Sequence, residues 1–524
     1  MSKLIRLILS AFLGLILITT VAICGTDEIS DLDYNSYINA NQLLTTSSNV
    51  GLTAHADGEI FPQGIGGLYY PYTSLDDIIS GQTHSLIYSS GLWLGGIVGT
   101  DTLVAIAEFT SDFWPGPMTG GTFDPDADTV SAYRVYRLYS DSMALNPNQD
   151  YLDWPVGQGA PVNGLGQPVC MGDQMLWVVY NDANPDGNPS RARFSSPLGI
   201  EVHQTTWASD MPLDERVVYI EYRLFNKGGN NISDFCLSIW LDPDLGDASD
   251  DLVGCDTASD IYYCYNATND DAYYYGNPPA VGYRMIAGPI TASTGDSALF
   301  FGKYIDDYKN IRMSSFYKYI GGQDPQSATW AYNYMRGLEQ DGTLPPNGSV
   351  YQVPGDPVNG TGELDFAAGN RMMLGSFGPI DFNTGDSQYV MIKIGVGQGM
   401  DRLTSITDLK YILNAPFDFP VDVEEKIPLN LPAEFTLDQN YPNPFNSSTV
   451  ISYSLSRKSP VKIEIYNILG EKIAELDQGI KAAGKYRVLW NGHDKDGNSL
   501  PTGFYFSRVV TADRSETRKM LLLK

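Results

Sequence analysis

The sequence is poor in histidine and in basic residues, and each shortage excludes a class of function. Four histidines occur in 524 residues, and neither the HExxH pattern of zinc proteases nor the GxSxG pattern of serine hydrolases is present. The 33 basic residues are outnumbered by 62 acidic ones, which gives a net charge of −29. Because a chain this acidic repels phosphate backbones, we expect no binding of nucleic acid.

Long hydrophobic runs are missing after the first two dozen residues. Lys3 and Arg6 precede an apolar run from Leu7 to Ile23, and Ala22-Ile23-Cys24 fits a small-x-small cleavage site. A basic start followed by a short apolar stretch and such a site is typical of a secretory signal peptide, which we assign to residues 1–24. The run is short for a membrane span of ~20 residues, so we expect no transmembrane segment in the mature chain.

Helical periodicity is scarce, whereas glycine, proline and aromatic residues are common. The chain contains 52 Gly and 31 Pro, and 12% of its residues are aromatic. This composition predicts an all-β protein in which many turns connect strands. We assign residues 25–419 to an acidic β-rich body of one or two β-sandwich domains, and residues 433–524 to a C-terminal domain.

Eight segments of the body are predicted as strands. They are Ser85 to Trp93, Leu103 to Phe109, Tyr133 to Tyr139, Met175 to Tyr180, Val217 to Phe225, Phe235 to Leu241, Ala298 to Tyr304 and Tyr389 to Val396. The fifth and sixth flank the turn sequence Lys227-Gly228-Gly229-Asn230-Asn231, which favours a hairpin between them.

One helix is predicted near the end of the body, from Arg402 to Asn414. Leu403, Ile406, Leu409 and Leu413 form its apolar stripe. An acidic, proline-containing stretch follows at residues 420–432, and we interpret it as a linker between the two domains.

Cysteine is also scarce, with five in the chain. Removal of the signal peptide leaves Cys170, Cys236, Cys255 and Cys264, an even number that permits three disulfide connectivities in an exported protein. Cys255 and Cys264 are close in sequence, so we predict that they pair. The alternative is a zinc site, but it lacks CxxC spacing and a nearby histidine.

The first candidate ligand site is an acidic loop. Five aspartates lie within ten residues, at Asp242, Asp244, Asp247, Asp250 and Asp251. Carboxylates at this density repel one another unless a cation lies among them, and hard oxygen ligands suit Ca²⁺. The spacing is not that of an EF-hand. The sequence therefore predicts a calcium site here, with a solvated acidic loop as the alternative.

The second candidate site combines Asp182, Asn184 and Asp186. Their D-x-N-x-D-G spacing matches the first half of an EF-type calcium loop. The twelfth position is Arg193 where such a loop needs Glu, so further ligands must come from elsewhere. Asx turns explain the same residues without a metal.

The C-terminal domain shows the pattern of a small β-sandwich. Ile451, Tyr453 and Leu455 alternate with serines, and similar alternation recurs five or six times before the chain ends. Six or seven strands at this spacing predict an immunoglobulin-like fold. This region is also slightly basic, with 13 basic and 10 acidic residues from Leu429 onward, against 18 and 52 in residues 25–428.

Specific motifs in this domain resemble a known family. In order, they are YPNPFN, IYNILGEKI and GKYRVLWNGHDKDGNSLPTGFYF. The domain closely resembles the type A C-terminal sorting domain of the type IX secretion system, which is similar to the immunoglobulin-like unit of flagellar hook-capping proteins. The resemblance implies translocation across the outer membrane by the type IX machinery as partner, and a final location outside the cell or on its surface. The signal peptide, which is predicted independently, implies the preceding Sec export step.

The body gives a weaker indication of function. Segments such as SSGLWLGG, GDQMLWVVYND and VVYIEYRLFNKG resemble uncharacterised passenger regions that accompany such sorting domains. His203 lies in a strand-like context and is expected to be a hydrogen-bonded structural residue. We therefore expect a non-enzymatic, calcium-stabilised binding or adhesion protein, with a polysaccharide or cell-surface molecule as ligand. The alternative is a secreted glycoside hydrolase that uses paired carboxylates.

Overall fold

The structure is a computed structural model of the chain. It describes residues 35–54, 66–140, 147–163, 165–185, 195–417, 435–446, 448–455, 459–481, 484–495, 497–512 and 514–523. The predicted signal peptide and linker lie outside these ranges. Strands account for 49% and helices for 10% of the structure, which confirms the predicted all-β class. Within the described ranges, no helix combines the length and hydropathy that a membrane crossing requires.

The described part of the body contains twenty strands. In chain order they are β1 Asn35–Ile38, β2 Leu44–Ser48, β3 Leu52–Thr53, β4 Leu68–Tyr70, β5 His84–Val98, β6 Asp101–Ile106, β7 Trp114–Pro115, β8 Tyr136–Tyr139, β9 Gln174–Asn181, β10 Ile200–Ala208, β11 Val217–Asn226, β12 Ile232–Pro243, β13 Asp251–Asp256, β14 Ile261–Asn266, β15 Ala280–Ala287, β16 Ile290–Phe300, β17 Lys303–Asn310, β18 Met313–Ile320, β19 Arg371–Phe382 and β20 Ser387–Gly397.

Helices are short and connect or cover these strands. The α-helices are α1 Leu75–Ile79, α2 Gln149–Leu152, α3 Ala328–Met335 and α4 Arg402–Asn414. Single turns of 3₁₀-helix occur at Ala127–Thr129, Ser131–Tyr133, Val156–Gln158 and Ala248–Asp250.

The body is built on two nine-stranded antiparallel sheets. The first runs β1-β2-β3-β5-β12-β19-β18 with β4 and β6 at its side, and the second runs β13-β14-β15-β20-β11-β10-β9-β7 with β8 on β9. Apolar residues from both sheets form one buried core between them. Tyr262 of the second sheet donates its hydroxyl to the main-chain oxygen of Ile239 in the first, at 3.3 Å. The two sheets therefore form one sandwich.

The predicted hairpin between Val217–Phe225 and Phe235–Leu241 is wrong. Both segments are strands, but β11 pairs with β10 and β20, whereas β12 pairs with β5 and β19 in the other sheet. The turn sequence between them carries the chain across the core. Both strands place alternate apolar residues in that core, so a crossing between facing sheets fits their pattern as well as a hairpin does.

The predicted strand Ala298 to Tyr304 is also corrected. The chain turns in the middle of this segment, and Phe301 and Gly302 adopt φ angles of 49° and 76° between β16 and β17. Two positive φ angles in succession are the mark of a type I′ hairpin turn. Because Phe301 continues the aromatic pattern of a strand, the sequence alone concealed this turn.

The predicted helix over Arg402–Asn414 is confirmed as α4. Asp401 caps it by accepting the main-chain N–H groups of Leu403 at 3.0 Å and Thr404 at 2.7 Å. Its apolar stripe packs on the outer face of the second sheet. A Cβ on Gly397 would lie 2.2 Å from the main-chain nitrogen of Leu409, so glycine permits this close approach of helix to strand.

The C-terminal domain is a separate small sandwich with its own core. Its strands are β21 Thr436–Leu437, β22 Thr449–Leu455, β23 Ser459–Asn467, β24 Lys472–Lys481, β25 Gly484–Trp490, β26 Gly503–Val510 and β27 Ser515–Leu522. They form a three-stranded sheet β21-β22-β25 and a four-stranded sheet β24-β23-β26-β27. Trp490 is buried between them, and its indole N–H donates to the main-chain oxygen of His493 at 3.0 Å. The predicted immunoglobulin-like fold is confirmed.

The sandwich packing predicts the effect of one substitution in the centre of the first sheet. Gly375 faces the ring of Tyr262, and an added Cβ would lie 2.3 Å from its Cε1 atom. We expect Gly375→Ala to lower the free energy of unfolding by about 1–3 kcal/mol, because the two sheets must move apart. Denaturant unfolding of the purified protein measures this change.

The matched control is Gly229→Ala, since a Cβ there meets no atom within 4 Å. It should change stability by less than about 0.5 kcal/mol. A G375A protein as stable as the parent would contradict the close contact between the two sheets at this point.

Candidate functional site

The acid loop, residues 242–251, carries the chain from one large sheet to the other. Asp242 lies at the end of β12 in the first sheet, and Asp251 begins β13 in the second. Gly246 adopts a φ of 73°, and a Cβ there would lie 2.5 Å from a carboxylate oxygen of Asp271. Glycine at this position lets the loop turn tightly against its neighbour. The loop is therefore held close to the protein, with part of its acidic residues inside.

Two of the five aspartates face solvent or bond locally. Asp247 is exposed, and its carboxylate accepts the main-chain N–H of Ser249 at 3.0 Å. Asp250 accepts the side-chain amide of Asn266 at 3.0 Å. These hydrogen bonds shape the single 3₁₀ turn in the loop and leave both residues outside the buried group.

Asp242 is buried on the outer side of the first sheet. One of its carboxyl oxygens has no hydrogen-bond partner. Burial and, to a smaller extent, the neighbouring carboxyl groups of Asp244, Asp324 and Glu108 together raise its pKa to about 8. Asp242 is therefore mainly neutral at pH 7.

Asp251 is the most deeply placed carboxyl group of the loop. It is fully buried, and one oxygen accepts the main-chain N–H of Leu245 at 3.3 Å. Burial raises its pKa well above the usual range. The hydrogen bonds from Leu245 and from the Cys264 thiol oppose this rise, and the nearby Asp244 and Asp250 charges add to it. Burial also raises the pKa of half-buried Asp244.

The five aspartates of the loop that were predicted to bind calcium thus lie in three different places. The first set lies outside the buried group, the second is buried on the outer side of the first sheet, and the third lies further inside: Asp247 and Asp250, then Asp242, then Asp244 and Asp251. Within the described ranges, no group of three or more His, Cys, Asp or Glu side chains is arranged to hold a metal ion. The loop does not surround one point with five carboxylates. Calcium binding by this region stays a prediction.

In the second predicted calcium site, the carboxylate of Asp182 accepts hydrogen bonds from the main chain. Both oxygens of Asp182 accept main-chain N–H groups, from Leu198 at 2.6 Å, Gly199 at 2.9 Å and Ile200 at 2.6 Å. Burial raises its pKa to about 6, and these hydrogen bonds limit the rise. Asp182 therefore fastens the start of β10 to the end of β9. Asn184 follows in the same loop, and Asp186 lies outside the described residues.

The predicted disulfide is not formed, since Cys170, Cys236, Cys255 and Cys264 are all free thiols. Cys255 lies opposite Tyr262, and Cys264 lies opposite Val253 on the adjacent strand. The two cysteines are therefore diagonal neighbours, and such positions are ~7–8 Å apart. That separation is too large for a disulfide without movement of the backbone.

Sequence reasoning missed a buried polar network on the second sheet. Glu201 is buried, and one of its oxygens bonds both His203 and Lys227 at 2.7 Å. Although burial alone raises the pKa of Glu201, the hydrogen bonds from His203 and Lys227 lower it below the usual value. The expectation that His203 is a hydrogen-bonded structural residue is consistent with this contact.

A second ion pair continues the network on the neighbouring strand. Glu221 bonds the guanidinium of Arg223 at 2.5 Å and the hydroxyl of Tyr389 at 3.0 Å. The i, i+2 spacing of Glu221 and Arg223 places both on one face of β11. The burial of that face was the missing fact, because hairpin β16–β17 and its Phe301 cover it.

A small pocket lies at the end of α4. Its lining residues are Leu213, Tyr411, Ala415, Pro416, Tyr441, Val450 and Ser452. None of these side chains is acidic, so this pocket does not supply the carboxylate pair that a glycoside hydrolase needs.

A comparison with known protein families gives a match within the C-terminal domain. Residues 443–515 match the family model of the FlgD Ig-like domain. No curated protein matches the chain.

Three solved structures illustrate what the chain is similar to. FlgD of P. aeruginosa is 22% identical over 17% of this chain and 67% of its own, with a TM-score of 0.14. A polysaccharide lyase is 9% identical over 93% of this chain and 46% of its own, with a TM-score of 0.25. Dimeric latent PorU of Porphyromonas gingivalis is 11% identical over 67% of this chain and 31% of its own, with a TM-score of 0.17. TM-scores this low carry no argument about fold or function.

The hydrogen bonds of Asp182 predict the effect of removing its charge. Asp182→Asn replaces an oxygen acceptor by an N–H₂ group that faces main-chain donors. We expect a loss of about 1–3 kcal/mol in the free energy of unfolding. Denaturant unfolding of the full chain measures the change.

Asp306→Asn is the matched control, because Asp306 is an exposed aspartate of β17. Equal midpoints for D182N, D306N and the parent would contradict the anchoring role of Asp182.

Proposed function

We propose that the chain is exported by the type IX secretion system and acts on the cell surface or outside the cell. The observation that carries this proposal is the C-terminal domain. Its residues 443–515 match the FlgD Ig-like model, and its motifs resemble those of type A sorting domains. A Sec signal peptide at residues 1–24 supplies the first export step, and the C-terminal domain is the part that the type IX machinery binds.

The charge distribution along the chain supports separate roles for the body and the C-terminal domain. The body is strongly acidic, whereas the C-terminal domain is slightly basic. Opposite charge lets a partner attract the sorting domain while it repels the body. Recognition by the machinery therefore depends on the C-terminal domain alone.

Localisation in a bacterium that has type IX secretion tests the proposal. We expect the full chain to reach the medium or the outer surface, and a chain that ends at residue 419 to stay in the periplasm. A reporter protein fused to residues 433–524 should be exported as well. In a strain that lacks the secretion system, all three should remain inside the cell.

Export of the shortened chain at the level of the full chain would overturn the sorting role of the C-terminal domain. A full chain that is exported equally well without the type IX machinery would overturn the export route.

For the body, we propose a non-enzymatic function in binding or adhesion, with calcium as a stabilising ion. Its support is the state of the buried acidic side chains, since Glu201 and Glu221 are each satisfied by a basic partner and further hydrogen bonds. Such closed networks are typical of structural ion pairs. A polysaccharide or another cell-surface molecule is the ligand that we expect.

Glycan-array binding and a hydrolase screen on the secreted full chain test this part. We expect binding to one or more glycans without the release of new sugar ends. Cleavage of any bound polysaccharide would contradict the non-enzymatic function and favour the hydrolase alternative.

A further inference from the structure

Four buried side-chain oxygen atoms in and beside the acid loop lack a hydrogen-bond donor, and each is the Oδ1 atom of its residue. One belongs to Asp242, on the outer side of the first sheet, and the other three belong to Asp244, Asp251 and Asn266. Asp251 and Asn266 are fully buried. We name Asp244, Asp251 and Asn266 the oxygen cluster. A buried acceptor without a partner is costly, so three of them in one region require an explanation.

Strand pairing brings two members of the oxygen cluster together. Asp251 begins β13 and Asn266 ends β14, and the two residues lie directly opposite each other in the sheet. Side chains of directly paired residues share one face, with Cβ atoms ~4.5–5.5 Å apart. Their unpartnered oxygens therefore come from neighbouring side chains on the same side of the sheet.

The orientation of the Asn266 amide is fixed by its own nitrogen. That nitrogen donates to Asp250 and to Asp271, at 3.0 Å in both cases. Two carboxylate acceptors hold the N–H₂ group in place, so the amide oxygen must point away from them. Asn266 therefore presents an oxygen, and not a donor, to the cluster.

Asp244 joins the oxygen cluster through the acid loop. The next residue, Leu245, donates its main-chain N–H to the Oδ2 atom of Asp251 at 3.3 Å. This contact places the loop against β13 and brings the Asp244 carboxyl close enough to act electrostatically on Asp251. The three oxygens thus come from the first sheet's outgoing loop and from two strands of the second sheet.

Basic groups do not neutralise these carboxyls. Among the ion pairs formed within the described ranges, none includes Asp244 or Asp251. The Cys264 thiol lies within hydrogen-bond reach of Asp251, but a thiol is a weak donor and brings no positive charge. The neighbouring groups thus offer oxygen ligands without a balancing positive charge.

We propose that Asp244, Asp251 and Asn266 bind one hard divalent cation of the calcium type. Two carboxylates and an amide oxygen are ligands that Ca²⁺ takes in proteins, together with main-chain oxygens and water. The cation supplies a positive charge that balances the buried carboxylates, and it gives the Asn266 oxygen a partner. With two carboxylates, we expect the weak affinity of extracellular modules, a Kd on the order of 10⁻⁴–10⁻³ M.

This inference rests on the calcium part of the proposed function and gives it a ligand set. The cation would tie the loop that leaves the first sheet to two strands of the second, so its binding would stabilise the sandwich. Asn266 is a ligand that the sequence analysis did not include, and the exposed Asp247 is not part of the site.

Thermal unfolding of the purified full chain at pH 7.5 tests the proposal, with chelator or with about 10 mM CaCl₂. We expect the midpoint to rise by roughly 2–5 °C with calcium. Asp251→Asn and Asp244→Asn should each lose this shift. Because Asp244 is half-buried, D244N is the variant whose folding is secure if D251N fails to fold.

Asp270→Asn is the matched control, since Asp270 is exposed in the turn after β14. It removes one charge near the site and should keep the calcium shift. In the competing arrangement, the Asp251 carboxyl group is protonated and donates to the Asn266 amide oxygen. This arrangement predicts no calcium-induced shift of the unfolding midpoint in the parent. That result, or an unchanged shift in D244N, would overturn the cation site. Neither result bears on export, which the localisation experiment tests separately.

Discussion

Both large sheets of the body are covered on both faces, so the polar side chains of their strands need partners inside the protein. The core between the sheets covers one face of each. Helix α3 with its aromatic neighbours covers the outer face of the first sheet, and α4 together with hairpin β16–β17 covers that of the second. This constraint explains why charged residues appear in pairs along β10 and β11. The acid loop stands apart, because none of its aspartates takes part in an ion pair within the described part of the chain.

The two kinds of buried acid differ in how their charge is balanced. Glu201 and Glu221 each have a basic group at hydrogen-bond distance, and Asp365 has Arg371. Such pairs fix the position of neighbouring elements without a ligand. Asp251 has a main-chain donor and the Cys264 thiol beside it, and Asp244 has acidic neighbours. Within the described residues, neither carboxyl forms an ion pair with a basic group.

Several elements could be predicted because their residues carry the signal locally. Helix α4 has a 3.6-residue apolar stripe within the segment, and a capping aspartate and a proline flank it closely on either side. The sorting-domain motifs likewise mark the small sandwich. By contrast, the turn at Phe301 and Gly302 interrupts an aromatic run. Gly302 is a turn signal, but Phe301 continues the pattern of a strand, and a single glycine is also compatible with a strand. The diagonal placement of Cys255 and Cys264 depends on strand register, which sequence proximity does not reveal.

The sequence by itself determined the all-β class, the positions of seven of the twenty described strands of the body and the division between an acidic body and a slightly basic C-terminal domain. These properties follow from alternation, composition and charge, which are local or additive. The tertiary structure alone decided that β11 and β12 belong to different sheets, because a turn sequence does not state which sheet the next strand joins. It also decided which aspartates are buried and that Asn266 lies opposite Asp251. Those relations arise when distant strands pair, and no local pattern encodes them.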